Sequence, residues 1–174
     1  MKKKIGYNMK VWQHHLDFLV WQMMEGPQQD ISNILLEYIS RDIRGERSRQ
    51  KTLTILLKIW VNVPDSRRRM RDDAFTLYAD ATQGERAALH WSMIVLAYPF
   101  FRDVVYELGR LFRLQEVVAS PQISRKMNRL YGERHSVSVS TTAVLSTLRE
   151  WEIIQTKRRY ENVATEPMVI HSPR

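Results

Sequence analysis

The chain has 174 residues, 44% of them hydrophobic, no cysteine and a formal net charge of +8. That length fits one domain or one and a half, and the basic charge favours a polyanionic partner or an acidic membrane surface, although mildly basic proteins without such partners are also common. The lack of cysteine excludes disulfides, thiolate metal sites and cysteine nucleophiles, and it fits a reducing compartment.

No segment predicts a membrane span. The longest apolar stretch, residues 91–101, already contains Ser92 and Pro99 and falls short of the roughly 20 residues that cross a bilayer. Lys2 to Lys4 resemble the start of a signal peptide, but residues 5–10 are not an apolar core. We therefore expect a cytoplasmic protein with no membrane partner; the sequence predicts no oligomeric state.

The first hundred residues predict a bundle of about five helices. The first helix ends before Gly26-Pro27, the second follows Asp30 and ends near Gly45, and the third covers residues 46–60. A turn at residues 63–66 precedes the fourth helix, whose predicted buried side holds Met70, Ala74, Leu77 and Tyr78.

A fifth helix is predicted from Gln83 to Ala97. Thr82 and Glu85 form a capping box at its start. The helix is apolar nearly all round, which predicts that it is the buried centre of the bundle. Pro99 then breaks it.

From Phe101 onward the pattern predicts a winged helix, a helix-turn-helix module with a small β-wing. A helix over residues 101–118 leads to a second that opens at Ser120-Pro121 and closes at Gly132, and a third ends at Trp151. Strands are predicted at residues 153–156 and 168–170. The predicted fold is therefore mainly α: a helical bundle (residues 1–100) and a C-terminal winged-helix module (101–174), continuous through the helix near 101–118.

The winged helix supplies the main candidates for DNA contact. The second helix has one apolar face and one cationic face, and the third shows short polar side chains and one arginine opposite its apolar face. Lys157-Arg158-Arg159, followed by Tyr160, predict a wing that grips a phosphate backbone. The candidates on the two helices are Arg125, Lys126, Arg129, Thr142, Ser146 and Arg149. Because the recognition face of the third helix carries no Asn or Gln and only one Arg, we expect phosphate contacts to dominate.

Two further basic features lie outside this module's central helices. Arg102, Arg110 and Arg113 form one stripe on the 101–118 helix, which fits a phosphate contact or a solvated helix face. Arg67, Arg68 and Arg69 lie in a segment, residues 41–71, with a net charge of +7. Cations in a first helical turn oppose the helix dipole, so an anionic partner or acids from neighbouring helices would have to explain them.

No enzyme signature is present. The chain has no P-loop, GxGxxG or HExxH pattern. His14 and His15 are adjacent and would point about 100° apart on a helix, a poor arrangement for a metal. His90 on the apolar fifth helix is better explained as a core histidine than as a base. We therefore predict no catalytic residue, no metal site and no cofactor.

The block Tyr98-Pro99-Phe100-Phe101-Arg102-Asp103, between an apolar helix and a long helix, resembles the BrxA proteins of bacterial BREX phage-defence systems. The upstream Arg47 to Thr52 stretch fits the same pattern. The resemblance implies a small all-helical protein with a winged-helix portion that binds DNA within a multi-protein defence complex. It implies no catalytic residues, and it leaves Arg102 as a candidate phosphate contact.

The predicted function is non-catalytic binding of double-stranded DNA, mostly through phosphates and with weak sequence preference, alongside other defence-system proteins. One alternative is a transcriptional regulator with a defined operator, which would discriminate steeply between DNA sequences. The other is a scaffold whose winged helix binds a partner subunit, which would show no salt-dependent affinity for DNA.

Overall fold

The computed structural model describes residues 5–26 and 30–165. Within them the chain is mainly helical, with a small three-stranded antiparallel sheet near its carboxyl end. It divides into two compact units. The helical unit comprises residues 12–26 and 30–97, and the carboxy-terminal unit comprises residues 5–11 and 98–165.

Five helices build the helical unit. α1 packs against α2, α3 and α5, while α3 also contacts α2 and α5, and α4 contacts α5. Leu16, Leu19, Leu56, Ile59 and Trp60 are fully buried in its core. The helices are α1 (Gln13–Met24), α2 (Ile31–Ile39), α3 (Glu46–Trp60), α4 (Asp65–Tyr78) and α5 (Gln83–Ala97).

The bounds of α3 and α5 agree with those predicted from the sequence. At the start of α5, Thr82 N–H donates to Glu85 Oε2 at 2.7 Å and Glu85 N–H donates to Thr82 Oγ1 at 3.4 Å. This reciprocal pair is the predicted capping box. By contrast, α2 ends at Ile39, about six residues before the predicted end near Gly45.

The predicted buried side of α4 is only partly correct. Ala74 and Tyr78 are buried, but Met70 and Leu77 are 52% and 61% exposed. The physical reason is that α4 packs mainly along α5, so one narrow stripe of the helix is covered and the neighbouring apolar positions stay open. The prediction that α5 is the buried centre of the bundle is likewise only partly correct. The helix contacts three others, but only four of its fifteen residues are buried.

The carboxy-terminal unit follows the order helix, strand, helix, helix, strand, strand. In the sheet β3 lies between β1 and β2, and both pairings are antiparallel. Val117 pairs with Val163, and Gln155 also pairs with Val163 from the other side. The elements are α6 (Pro99–Phe112), β1 (Val117–Ala119), α7 (Ser120–Tyr131), α8 (His135–Glu150), β2 (Ile154–Arg158) and β3 (Glu161–Ala164).

One prediction for this unit is wrong, and another falls outside the described residues. The helix expected to reach residue 118 ends at Phe112, and residues 117–119 form strand β1 instead. The second strand of the hairpin is β3 at residues 161–164, whereas the strand predicted at 168–170 lies outside the described residues. Short strands such as β1 are fixed by pairing with a distant segment and leave little local signal.

Residues 5–11 complete the core of the carboxy-terminal unit. The Tyr7 hydroxyl lies 2.8 Å from Thr147 Oγ1, and both side chains are buried. The Trp151 indole donates to Val11 O at 3.0 Å, and Lys10 forms an ion pair with Glu150 at 2.8 Å. The segment therefore holds the carboxyl end of α8 through both polar and apolar contacts.

Candidate nucleic-acid interface

The two central helices of the carboxy-terminal unit pack through their predicted apolar faces. Ile123 and Met127 of α7 are fully buried, as are Val144 and Leu148 of α8 to within 1%. α7 and α8 are in extensive contact, and α8 also contacts α6 and β2. The opposite faces of α7 and α8 are thereby left for solvent or for a ligand.

A buried polar cluster locks the start of α7, the end of α8 and strand β3 together. The amide of Asn162, which is fully buried, donates to Val118 O at 2.9 Å and to Ser120 Oγ at 3.1 Å. Its Oδ1 accepts from Arg149 Nη2 at 2.7 Å and from Arg149 Nε at 3.2 Å. Both the N–H donors and the oxygen acceptor of the buried Asn162 amide have hydrogen-bond partners, so this cluster connects α7, α8 and β3 rigidly.

Arg149 is therefore engaged inside the fold, although it was predicted to contact DNA. Its guanidinium is half-buried against neutral partners, the Asn162 amide and the Ser120 hydroxyl. Burial lowers the pKa of Arg149, but a guanidinium stays protonated in proteins. The residue thus contributes a fixed positive charge at the end of α8.

The cations of α7 fall into two groups. Arg125 and Arg129 are exposed on the open face of the helix, as predicted. Lys126 instead forms an ion pair with Glu107 of α6 at 3.1 Å, and the Glu107 side chain is only 11% exposed. Because a nearly buried carboxylate needs a counter-charge, Lys126 is better explained as a structural partner of α6 than as a phosphate contact.

The three cations of the predicted wing lie at the β2–β3 hairpin. Lys157, Arg158 and Arg159 are all exposed. In the backbone register of the hairpin, Arg158 lies opposite Glu161. The connecting turn is Arg159-Tyr160, and the guanidinium carbon of Arg159 lies 5.0 Å from the centre of the Tyr160 ring. The hairpin therefore presents a compact cationic tip with one aromatic ring.

Tyr160 adopts a left-handed backbone conformation with a φ of +66°. This region favours glycine and costs other residues about 1–2 kcal/mol. The Tyr160 carbonyl accepts a hydrogen bond from Ser120 N–H at 2.7 Å, which fixes the turn beside the start of α7. Such backbone strain is often retained where a side chain has a functional role.

The open face of α8 carries small side chains, as expected for a helix that approaches DNA closely. Thr142 is exposed and Ser146 is half-buried, whereas the intervening Ala143 is buried. Three residues missed from the sequence, His135, Ser138 and Val139, extend this face toward the amino end of α8. Helical spacing counted backward from Thr142 would have identified them.

The arginine stripe on α6 is largely paired with acids of the same helix. Arg102 contacts Asp103 at 2.9 Å, and Arg110 contacts Glu107 at 3.4 Å. Arg113 is exposed beyond the end of α6. Pairing of this kind is typical of a solvated helix face, which is the second of the two interpretations left open by the sequence.

In the helical unit, internal contacts explain part of the basic segment at residues 41–71. Arg67 donates to Leu96 O, and Arg68 forms an ion pair with Asp65. Arg49 donates to Arg44 O at 3.0 Å. Arg69 is exposed. The segment's high charge is therefore partly structural, and Arg67 in particular is engaged by the fold. Other exposed cations of the segment include Arg41, Arg44, Arg47, Lys51 and Arg69.

His90 belongs to a buried hydrogen-bond chain and not to a cleft. The Trp60 indole donates to His90 Nδ1 at 3.0 Å, and His90 Nε2 lies 3.0 Å from Asp17 Oδ1. Tyr78 also donates to Asp17. Burial lowers the pKa of His90, while the Asp17 hydrogen bond and charge act in the opposite direction. These contacts satisfy the histidine as a core residue of the helical unit.

Comparison with known proteins gives no match: no family model, no curated protein and no solved structure is significantly similar to the chain. None of the helices within the described residues is both long enough and apolar enough to cross a membrane. The candidate interface therefore rests on the geometry and charge of the chain itself.

Proposed function

We propose that the protein binds double-stranded DNA without catalysis, chiefly through phosphates. The main support for this proposal is a group of exposed basic side chains in the carboxy-terminal unit. We call it the exposed cation set; it consists of Arg125, Arg129, Lys157, Arg158 and Arg159. Exposed arginine and lysine side chains neutralise DNA phosphates and release bound counterions, which provides affinity for any sequence.

The order of elements in the carboxy-terminal unit supports a winged-helix arrangement. The succession helix, strand, helix, helix, strand, strand and the sheet order β1-β3-β2 fit such a module. In that assignment α8 is the helix that enters the major groove and the β2–β3 hairpin is the wing. The small side chains of α8 suit close approach, and the open stretch from His135 to Arg149 contains no acid.

Weak sequence preference follows from the side chains that α8 offers. Thr142 and Ser146 are short hydroxyl donors and acceptors that discriminate poorly between bases. Arg149, the single arginine of the helix, donates to Asn162 and Ser120. Its guanidinium therefore adds positive charge at this surface but is not free to form two hydrogen bonds with a guanine base. A transcriptional regulator with a defined operator is accordingly the less supported alternative.

A protein-binding role is the second candidate. Leu114 and Leu130 of the carboxy-terminal unit are 83% and 43% exposed, and apolar exposure of this kind is typical of contact surfaces when it is clustered. Participation in a BREX-type complex is proposed on the resemblance of residues 98–103 alone. Within that block Phe100 and Phe101 are fully buried, so its apolar part serves the core.

The test is a fluorescence-anisotropy titration of the full chain against random-sequence duplex DNA at several NaCl concentrations. We expect binding at low salt and a log–log slope equivalent to several phosphate contacts. Affinities for unrelated duplexes should agree within about tenfold, since a specific operator typically exceeds that ratio by orders of magnitude. Absence of binding at low salt would reject the proposal and favour the scaffold.

A further inference from the structure

Three metal-ligating side chains of the helical unit converge between the first turn of α1 and the turn after α2. His14 Nε2 lies 2.9 Å and His15 Nε2 lies 2.8 Å from the same atom, Asp42 Oδ2. The ligand atoms of all three residues lie within 4.8 Å of one another. Adjacent residues of a helix point about 100° apart, but the two imidazole rings are long enough for both to contact the same carboxylate.

The surrounding structure packs around one of these ligands and fixes the backbone of another. His15 is fully buried, and its ring centre lies 5.1 Å from that of Trp12 and 5.9 Å from that of Tyr38. Asp42 N–H donates to Ile39 O at 3.1 Å, which places the carboxylate on a hydrogen-bonded turn. The side chains of His14 and Asp42 are 46% and 35% exposed, which leaves both of them room to adjust. Such preorganisation lowers the cost of assembling a ligand set.

We propose that His14, His15 and Asp42 form a binding site for a divalent transition-metal ion, with Zn²⁺ as the best-fitting member. Two imidazole nitrogens and one carboxylate oxygen are zinc ligands, and this donor set disfavours Mg²⁺ and Ca²⁺, which prefer oxygen alone. Bonds of about 2.0–2.2 Å in a tetrahedral arrangement place ligand atoms about 3.4 Å apart. The two imidazole nitrogens therefore need to retreat from the carboxylate oxygen by about half an ångström.

Proton balance permits this exchange. A neutral imidazole that donates from Nε2 becomes a ligand through Nε2 when its proton moves to Nδ1, and an aspartate side chain is ordinarily ionised at neutral pH. The exposed sides of His14 and Asp42 leave the fourth position open to water. A bound ion would tie α1 to the α2–α3 connection.

The main experiment is calorimetric titration of ZnSO₄ into the full chain after treatment with EDTA, together with thermal unfolding in the presence and absence of the metal. We expect one equivalent of Zn²⁺ to bind and to raise the unfolding midpoint. His14→Ala and Asp42→Asn should each lower the affinity at least about tenfold. Both residues are partly exposed, so these variants should fold; circular dichroism checks that they do.

Matched controls are His135→Ala, an exposed histidine of the carboxy-terminal unit, and His171→Ala, which lies outside the described residues. Both should bind Zn²⁺ as the wild type does. With Co²⁺ as the probe, tetrahedral coordination should produce visible absorption bands that His14→Ala lacks. No binding to the wild type, or binding unchanged in both His14→Ala and Asp42→Asn, would overturn the site and leave a hydrogen-bonded cluster. Neither result bears on DNA binding.

Discussion

Arg149 Nη2 donates to Asn162 Oδ1 at 2.7 Å, which joins the last turn of α8 to the central strand of the sheet. The partner of the arginine is a neutral amide, itself fully buried and bonded to Val118 O and Ser120 Oγ. Arg149, which the sequence predicts as a DNA contact, thus also connects two elements of the fold, and we expect its removal to lower the free energy of unfolding.

The first prediction concerns this hydrogen-bonded cluster around Asn162. Asn162→Ala should lower the free energy of unfolding by about 2–3 kcal/mol, because Arg149 and Ser120 lose their shared partner in a buried site. Urea denaturation measures the change. Thr142→Ala, on the exposed face of α8, is the control and should stay within about 0.5 kcal/mol of the wild type. Equal effects of the two substitutions would contradict a structural role for the cluster.

The second prediction concerns the exposed cation set. Replacing Arg125 and Arg129 by Glu should weaken binding to random duplex and reduce the salt slope by about 2, since each lost phosphate contact removes about 0.9. Replacing Arg158 and Arg159 by Glu should act similarly. Anisotropy titrations at several salt concentrations measure both effects.

The matched control for that experiment is the Arg102→Glu, Arg110→Glu pair, which changes the net charge equally but removes arginines already paired with Asp103 and Glu107. Its salt slope should stay closer to that of the wild type. If all three double variants lose affinity to the same degree, the effect comes from net charge, and the assignment of the α7 and hairpin cations fails.

The third prediction separates Arg67 from Arg69. Arg67 donates to a backbone carbonyl at the end of α5, whereas Arg69 is exposed. Arg67→Ala should cost about 1–3 kcal/mol of unfolding free energy, because a hydrogen bond to a charged group is lost. Arg69→Ala should change it by less than about 0.5 kcal/mol. Triple reversal of Arg67, Arg68 and Arg69 to Glu would therefore confound folding with DNA binding, and single variants avoid that difficulty.

The fourth prediction is a dependence of stability on pH through His90. Burial lowers its pKa, and the indole N–H of Trp60 already occupies Nδ1, so the folded protein disfavours a second proton on the ring. The unfolded histidine takes up that proton below a pKa of about 6.5. The unfolding free energy should consequently fall as the pH drops from about 7 to 5, with a limiting slope for this group of about 1.4 kcal/mol per pH unit.

Urea denaturation at several pH values tests this dependence, with His90→Gln as the comparison. The variant will be less stable at neutral pH, but the histidine's share of the pH slope should vanish. All other titrating groups are common to both proteins, so the difference between their slopes reports His90. Identical slopes would show that the folded and unfolded states bind this proton equally.

The fifth prediction concerns the left-handed turn residue Tyr160. Tyr160→Gly relieves about 1–2 kcal/mol of backbone strain and costs about 0.5–1 kcal/mol of chain entropy, which leaves a gain of up to about 1.5 kcal/mol. Tyr160→Ala loses the same ring without that relief, so it is the matched control. Urea denaturation should rank the Gly variant above the Ala variant, and a Gly variant less stable than the Ala variant would contradict a left-handed turn at this position.

The sequence by itself determined the elements whose signals are local. The apolar spacing of residues 46–60 defines α3, and the pairing of Thr82 with Glu85 defines the start of α5, because both signals act within a few residues. The mainly helical class and the inward faces of α7 and α8 follow from the same periodicity. The exposed positions of Arg125 and Arg129 follow as well, since a helix that buries one face presents the other.

Only the tertiary structure decided which polar groups are already engaged. Strand β1 exists because residues 117–119 pair with residues 161–163, more than forty positions away. Other long-range contacts join Arg149 to Asn162, Lys126 to Glu107 and Arg67 to Leu96. His14 and His15 meet Asp42 from the next helical connection. Periodicity predicts which way a side chain points, but not which distant group it contacts. Here that contact distinguishes a cation engaged inside the fold from an exposed one.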